Sequence, residues 1–198
     1  MNMKYKYIVG IDEVGRGPLA GPVTVCAAAV PRGMKFNPLQ NGVRLDDSKK
    51  LTARSREAWA RKLKESGVIF AISSITPAVI DRINIAKAAN RAAERSLKKL
   101  AEKEGVPLKH SLIFLDGGLY VDGGRTVIRA DGRINAVKAA SILAKVRRDK
   151  YMKKLSIEFP AYGFEKHVGY GTKSHIAAIK KHGISPVHRK TFCKFLRR

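Results

Sequence analysis

Hydrophobic and polar positions along the chain follow two alternating periods. Residues 4–11 (KYKYIVGI) and 22–30 (PVTVCAAAV) are short apolar runs bounded by glycine and proline, and they predict two strands joined through a glycine-rich turn. A loop is expected from there to about Leu51. Residues 51–66 (LTARSREAWARKLKES) carry a helical period, with Thr52 placed as N-cap and Gly67 just past the end. Residues 68–75 (VIFAISSI) return to a strand pattern. Residues 77–104, rich in Ala, Leu, Arg and Lys, predict one helix stopped by Gly105 and Pro107.

Two further strands are expected, at 111–118 (SLIFLDGG) and 126–132 (TVIRADG), each delivering an acid near its end. Residues 134–159 place Val137, Ile142, Val146 and Leu155 near helical spacing and predict a long helix. Residues 160–175 read as a loop, and 174–183 (SHIAAIKKHG) as a short helix closed by Gly183. Strands alternating with helices indicate an α/β fold with a mixed sheet. No linker, repeat or low-complexity tract divides the chain, so residues 1–198 read as a single domain.

Charge narrows the partner. Forty Lys and Arg against sixteen Asp and Glu give a formal +24, and the basic residues are spread along the whole length. A field of that sign attracts polyanions, which makes nucleic acid the expected partner. A membrane is not expected: the longest apolar run, residues 23–30, falls far short of the roughly 20 residues needed to span a bilayer. Asp12 and Glu13 interrupt the N-terminal apolar region, which therefore does not read as a signal peptide, and a cytoplasmic location is expected. Cys26 and Cys193 form no C-x-x-C pair and are expected to be reduced and structural.

Against this positive background, three strand ends carry acids: Asp12 with Glu13, Asp116, and Asp131. Each alone reads as a turn residue or helix cap, because acids are poor strand formers and costly to bury. Together they call for one explanation. Carboxylates converging at a sheet edge repel one another unless a cation lies between them, and all-oxygen ligands suit Mg2+ or Mn2+. A two-ion site of that kind cuts phosphodiesters. The same charge also fits a non-catalytic, basic RNA-binding protein, which has no use for converging acids.

The turn GRGPLAG fails as a dinucleotide fingerprint, because its third spacing is one residue too long, Pro18 lies inside it and a strand follows. Gly15 and Gly17 would instead let main-chain N–H groups approach a substrate, with Arg16 in reach of phosphate; a tight turn is their plain alternative. The five histidines show no metal-ligand spacing, and His167, His175 and His188 are expected to form hydrogen bonds.

Five segments, GIDEVGRGPLAGPV, DDSKKL, FLDGG, AASILAKVRRD and KHVGYGTKSHIAAIKKHGISPVHRKTF, occur in the order and spacing of the type 2 ribonucleases H, and the chain resembles that family over essentially its whole length. The resemblance implies a ribonuclease H-like fold, a mixed sheet flanked by helices with a C-terminal helical segment. It implies four metal-binding catalytic acids at Asp12, Glu13, Asp116 and Asp131, with Asp122 and Asp149 as decoys, and two Mg2+ or Mn2+ ions. It further implies that Gly15, Arg16 and Gly17 contact a 2′-hydroxyl through their main chain, that Tyr170 packs on the adjoining sugar, and that Ser48, Lys49 and Lys145 serve phosphates.

The activity so implied is cleavage of the RNA strand of RNA/DNA hybrids, and incision of duplex DNA 5′ to an embedded ribonucleotide, leaving 5′-phosphate and 3′-hydroxyl ends. A DNA-cutting nuclease or recombinase on the same fold is the rival enzyme. Arg16 separates the chain from the type 3 enzymes, which usually carry threonine there. Three departures from the family pattern stand out: Ala130 before the fourth acid, Asp46 before DSK, and Lys138 in a helix that is usually apolar at that point. The segment CKFLRR lacks the motif by which some relatives bind a sliding clamp, so clamp recruitment is not expected, and the protein is expected to act as a monomer.

Overall fold

A five-stranded mixed sheet in the order β3-β2-β1-β4-β5 organises the computed structural model, which describes residues 5–194. Its strands are β1 (Tyr7–Val14), β2 (Val23–Pro31), β3 (Ile69–Ile75), β4 (Ser111–Asp116) and β5 (Arg125–Val127). β1, β2 and β3 form an antiparallel meander, whereas β1 and β4, and β4 and β5, run parallel. Among the described residues six α-helices accompany them: α1 (Ala53–Glu65), α2 (Pro77–Ile83), α3 (Ile85–Glu102), α4 (Asn135–Glu158), α5 (Phe164–His167) and α6 (Lys173–His182).

The period-two alternation of β1 and β2 builds two cores. Val9, Ile11, Val25, Ala27 and Ala29 face α3, which meets them with Ala88, Ala89, Ala92, Ala93 and Leu100. Cys26, Ala28 and Val30 face α1 and α4, where Trp59, Leu63, Ala136, Ala140 and Ile142 complete the layer. Small side chains on both faces let helices lie close to the sheet. Gly10 is the extreme case, because a Cβ there would stand 2.1 Å from the carbonyl carbon of Ala136. A third cluster, with Leu19, Met152, Leu155, Tyr162, Phe164 and Ile179, attaches the C-terminal helices to the far end of α4.

Caps mark α1 as its sequence predicts: Thr52 accepts from the Ser55 N–H, and Gly67 follows the helix with φ +82°. Four expectations need correction. The first strand begins at Tyr7 and continues through Asp12 and Glu13 to Val14, because pairing with β2 extends past the acids; residue 4 lies outside the described residues. Residues 77–104 are two helices, since Asn84 takes a left-handed φ of 66° and caps α3 by accepting from the Lys87 N–H at 3.0 Å. Residues 126–132 are not one strand: β5 stops at Val127, Arg129 turns left-handed, and Ala130–Gly132 form a 3-10 turn. Residues 160–175 are not simply a loop, because they contain a 3-10 turn at Pro160–Tyr162, helix α5 and the start of α6.

Candidate active site

Parallel pairing brings the first acids together. Ile11 is the register partner of Leu115, and the next residues along the two strands are Asp12 and Asp116. Neighbouring strands lie about 4.8 Å apart, so two carboxylates leave the same sheet edge side by side. Asp12 shares its face with Gly10, under α4, and is 5% exposed. Glu13 lies on the opposite face and reaches the rim beside Arg16, at 3.4 Å from its guanidinium.

Asp131 arrives by a different route. It sits in the 3-10 turn ahead of α4, not on a strand, and is 6% exposed. Asp116 Oδ1 draws that turn in by accepting from the Ala130 N–H at 2.7 Å and the Asp131 N–H at 3.4 Å. Ala130 therefore contributes here through its main-chain N–H, with its small side chain fully buried. The other two departures meet one another, as Lys138 Nζ lies 3.9 Å from Asp46 Oδ1.

The electrostatics are those of an unrelieved cluster. Burial first, then the charges of Glu13 and Asp116, push the Asp12 carboxyl well above its ordinary range, against a stabilising hydrogen bond from Ser141. Burial also raises Glu13, with Arg16 opposing, and raises Asp116, with Asp131 adding to it. Glu13 Oε2 is buried without a hydrogen-bond partner among the described residues. Mutually repelling, desolvated carboxylates with an orphaned oxygen suit a hard divalent cation. No three His, Cys, Asp or Glu groups among the described residues already close around one point. Lys49 supplies positive charge at the rim, with its ammonium 3.3 Å from Asp131 Oδ2.

The other expected site residues divide into near and far. Ser48 is buried and accepts a 2.8 Å hydrogen bond from the Ser141 hydroxyl. Gly15, Arg16 and Gly17 lie just beyond β1, and a Cβ on Gly17 would stand 3.8 Å from the Tyr170 ring, which is 42% exposed. Lys145 is turned away to Asp149 at 2.8 Å, within α4, and Arg56 flanks the same acid at 3.8 Å. Asp122 is exposed on the loop between β4 and β5.

Three supporting residues, Ser141, Arg148 and Arg189, lie within the segments shared with the type 2 ribonucleases H but are given no role by the residue pattern itself. Arg148 and Arg189 are fully buried, and both spend their guanidinium donors on main-chain carbonyls. For Arg148 a signal exists, because it falls between Ala144 and Met152 at four-residue steps on the buried stripe of α4.

The expected hydrogen bonds of the histidines are present. His167 Nε2 pairs with the Tyr162 carbonyl at 2.9 Å, His175 Nδ1 with the Tyr170 carbonyl at 2.8 Å, and His175 Nε2 with His188 Nε2 at 3.1 Å. Cys26 and Cys193 are both free and buried. No helix among the described residues is long and apolar enough to cross a membrane.

A family model described as Ribonuclease HII matches residues 9–195. A relative in Shouchella clausii (strain KSM-K16), a ribonuclease HII, is 40% identical over 188 residues, covering 95% of this chain and 69% of its own. Among solved structures, the ribonuclease H2 of Pyrococcus horikoshii OT3 superposes with a TM-score of 0.73 at 23% identity, over 97% of this chain and 99% of its own. Bst-RNase HIII, solved in complex with Mn2+, gives a TM-score of 0.65 at 20% identity, over 96% and 66%. Both likenesses confirm the mixed-sheet ribonuclease H-like architecture.

Proposed function

The chain belongs to the ribonuclease HII family, and from that footing we propose that it is a divalent-metal-dependent endonuclease acting on the RNA strand of RNA/DNA hybrids and incising duplex DNA 5′ to a single embedded ribonucleotide. The observation that carries the reading is the juxtaposition of desolvated, mutually repelling carboxylates at Asp12, Glu13 and Asp116 beside a glycine turn, on a chain of formal charge +24.

Asp12, Glu13, Asp116 and Asp131 would hold Mg2+ or Mn2+. When bound, such ions supply an activated water and neutralise charge on the attacked and leaving oxygens of an in-line displacement, which leaves 5′-phosphate and 3′-hydroxyl ends. The chain's own groups select and orient the strand. Arg16 and Gly17 offer main-chain N–H groups to the ribose 2′-oxygen, the one group that distinguishes the scissile nucleotide from DNA. Tyr170 packs its ring on the adjoining sugar. Ser48 and Lys49 flank the phosphates next to Asp131, and Lys145 lies further out beside Asp149. The basic surface provides affinity, and residues of the turn provide choice.

The test is a DNA duplex holding one ribonucleotide, with an all-DNA control, incubated with and without Mg2+ or Mn2+. Expected are one metal-dependent nick 5′ to the ribonucleotide and an intact control; cleavage of the control removes the 2′-hydroxyl assignment. Asp12→Asn should abolish turnover while retaining binding. Metal-independent binding with no cleavage by the parent protein would instead return the chain to the class of basic RNA-binding proteins.

A further inference from the structure

Two adjacent residues far along the chain from the acids, His188 and Arg189, converge on both parts of the ribose-facing surface. Arg189 is fully buried and has no carboxylate within ion-pair distance among the described residues. Its guanidinium donates to the carbonyls of Gly15 at 2.5 Å, Arg16 at 2.7 Å and Gly21 at 3.0 Å. Its own N–H donates to the Leu19 carbonyl at 2.7 Å. One side chain thus holds both ends of the 15–21 turn.

The consequence follows from peptide geometry. In a trans peptide the C=O and the following N–H point in opposite directions. Drawing the Gly15 and Arg16 carbonyls inward to Arg189 therefore aims the N–H groups of Arg16 and Gly17 outward. Neither of those N–H groups meets an acceptor among the described residues.

His188 acts on the other half. Its Nδ1 accepts from the Ser185 N–H at 3.0 Å, which leaves the proton on Nε2. That proton is donated to His175 Nε2 at 3.1 Å, so His175 carries its own proton on Nδ1 and donates it to the Tyr170 carbonyl at 2.8 Å. The relay requires both rings neutral. Burial, then the neighbouring imidazoles, favours that state by lowering both pKa values.

We propose that His188 and Arg189 form a positioning pair that locks the 15–17 turn and Tyr170 in one register, so that the 2′-oxygen donors and the sugar-packing ring act as a single reader. The inference rests on the assignment of that turn and Tyr170 to the ribose, given above. Arg189→Lys retains charge but offers one nitrogen where three carbonyls need a fork. A misplacement of about 1 Å in such a turn costs on the order of 10²-fold in rate.

The experiment measures kcat and KM on the single-ribonucleotide duplex, with amide hydrogen exchange of residues 15–21 and 168–172. Arg189→Lys should lower kcat about 10²-fold, leave KM within about threefold because affinity comes from surface cations, and speed exchange in 15–21. Parent-level kcat and exchange would overturn the proposal, as would a loss expressed wholly in KM. Should Arg189→Lys not fold, His175 decides: His175→Asn keeps a donor near the Nδ1 position and should retain most single-ribonucleotide cleavage, whereas His175→Leu should not. Equal rates for the two overturn the relay. A parent protein unable to cut at the ribonucleotide refutes the assigned reaction instead, and amide exchange then still decides the clamp.

Discussion

Replacing Gly10 with alanine drives a methyl group into the backbone of α4. The added Cβ would stand 2.1 Å from the Ala136 carbonyl carbon, 2.2 Å from the Val137 nitrogen and 2.3 Å from the Ala136 oxygen. Ordinary contact begins at 3.4 Å, so relief means a retreat of α4 from β1 by about 1.3 Å. The obstacle is main chain on both sides, and no rotamer can absorb it. Overpacking of this kind costs 1–3 kcal/mol, and a rigid obstacle argues for about 3 kcal/mol. At this chain length that lowers the melting midpoint by roughly 6–12 °C.

Activity should fall by more than stability explains. α4 carries Ser141, which opposes the upward shift of the Asp12 carboxyl, and it begins four residues after Asp131. A shift near 1 Å at the reacting groups costs about 10²-fold. Urea or thermal denaturation gives the first number, and turnover under conditions where both proteins are fully folded gives the second. An unchanged midpoint would refute the close approach of β1 and α4. A turnover loss that merely tracks the folded fraction would refute the coupling of α4 to the acid cluster.

Mg2+ or Mn2+ at about 100 times its dissociation constant should stabilise the protein by about 2.7 kcal/mol, seen as a rise of roughly 5–11 °C in the midpoint. Asp12→Asn should abolish that rise, and a midpoint indifferent to metal in the parent protein would count against the four-acid site. Acid should act through His188, whose pKa burial and His175 lower from 6.5 to about 4. Because the folded value lies below the unfolded one, this stabilisation is present above about pH 6.5 and is lost as pH falls toward 4, with a limiting slope of about 1.4 kcal/mol per unit. Asp12, Glu13 and Asp116, raised in the folded state, act in the opposite sense, so the signature is the difference between parent and His188→Gln. An NMR titration that finds the His188 ring protonating near its ordinary value would overturn the assignment.

Much of the site is legible in the sequence because its signals are local. An apolar run that meets an acid at Asp12 or Asp116 announces a strand edge carrying charge, and Thr52 and Gly67 bracket α1 by capping chemistry alone. Asp131 shows the boundary of such reasoning. Thr126–Val127–Ile128 is β-branched throughout, yet β5 pairs for only three residues, Ile128 is 78% exposed, and a hydrogen bond to Asp116 draws the next turn inward. Asn84 likewise lies in a stretch of helical composition, and its left-handed φ separates α2 from α3.

The alternation of apolar and charged positions determined the type and chain order of most elements and marked Asp12, Glu13 and Asp116 as acids at strand ends, since each depends on neighbours within a turn or a strand. Only the assembled chain decided which main-chain groups face outward. Arg148 and Arg189 bond carbonyls that lie 20 to 174 positions away, most of them on the 15–22 segment. Residue type assigns such guanidinium groups to solvent, because burying a cation is costly unless its donors are satisfied. The carbonyls that satisfy them converge only once β1, α4 and the C-terminal segment have packed, and no periodicity along the chain can encode a meeting at that separation.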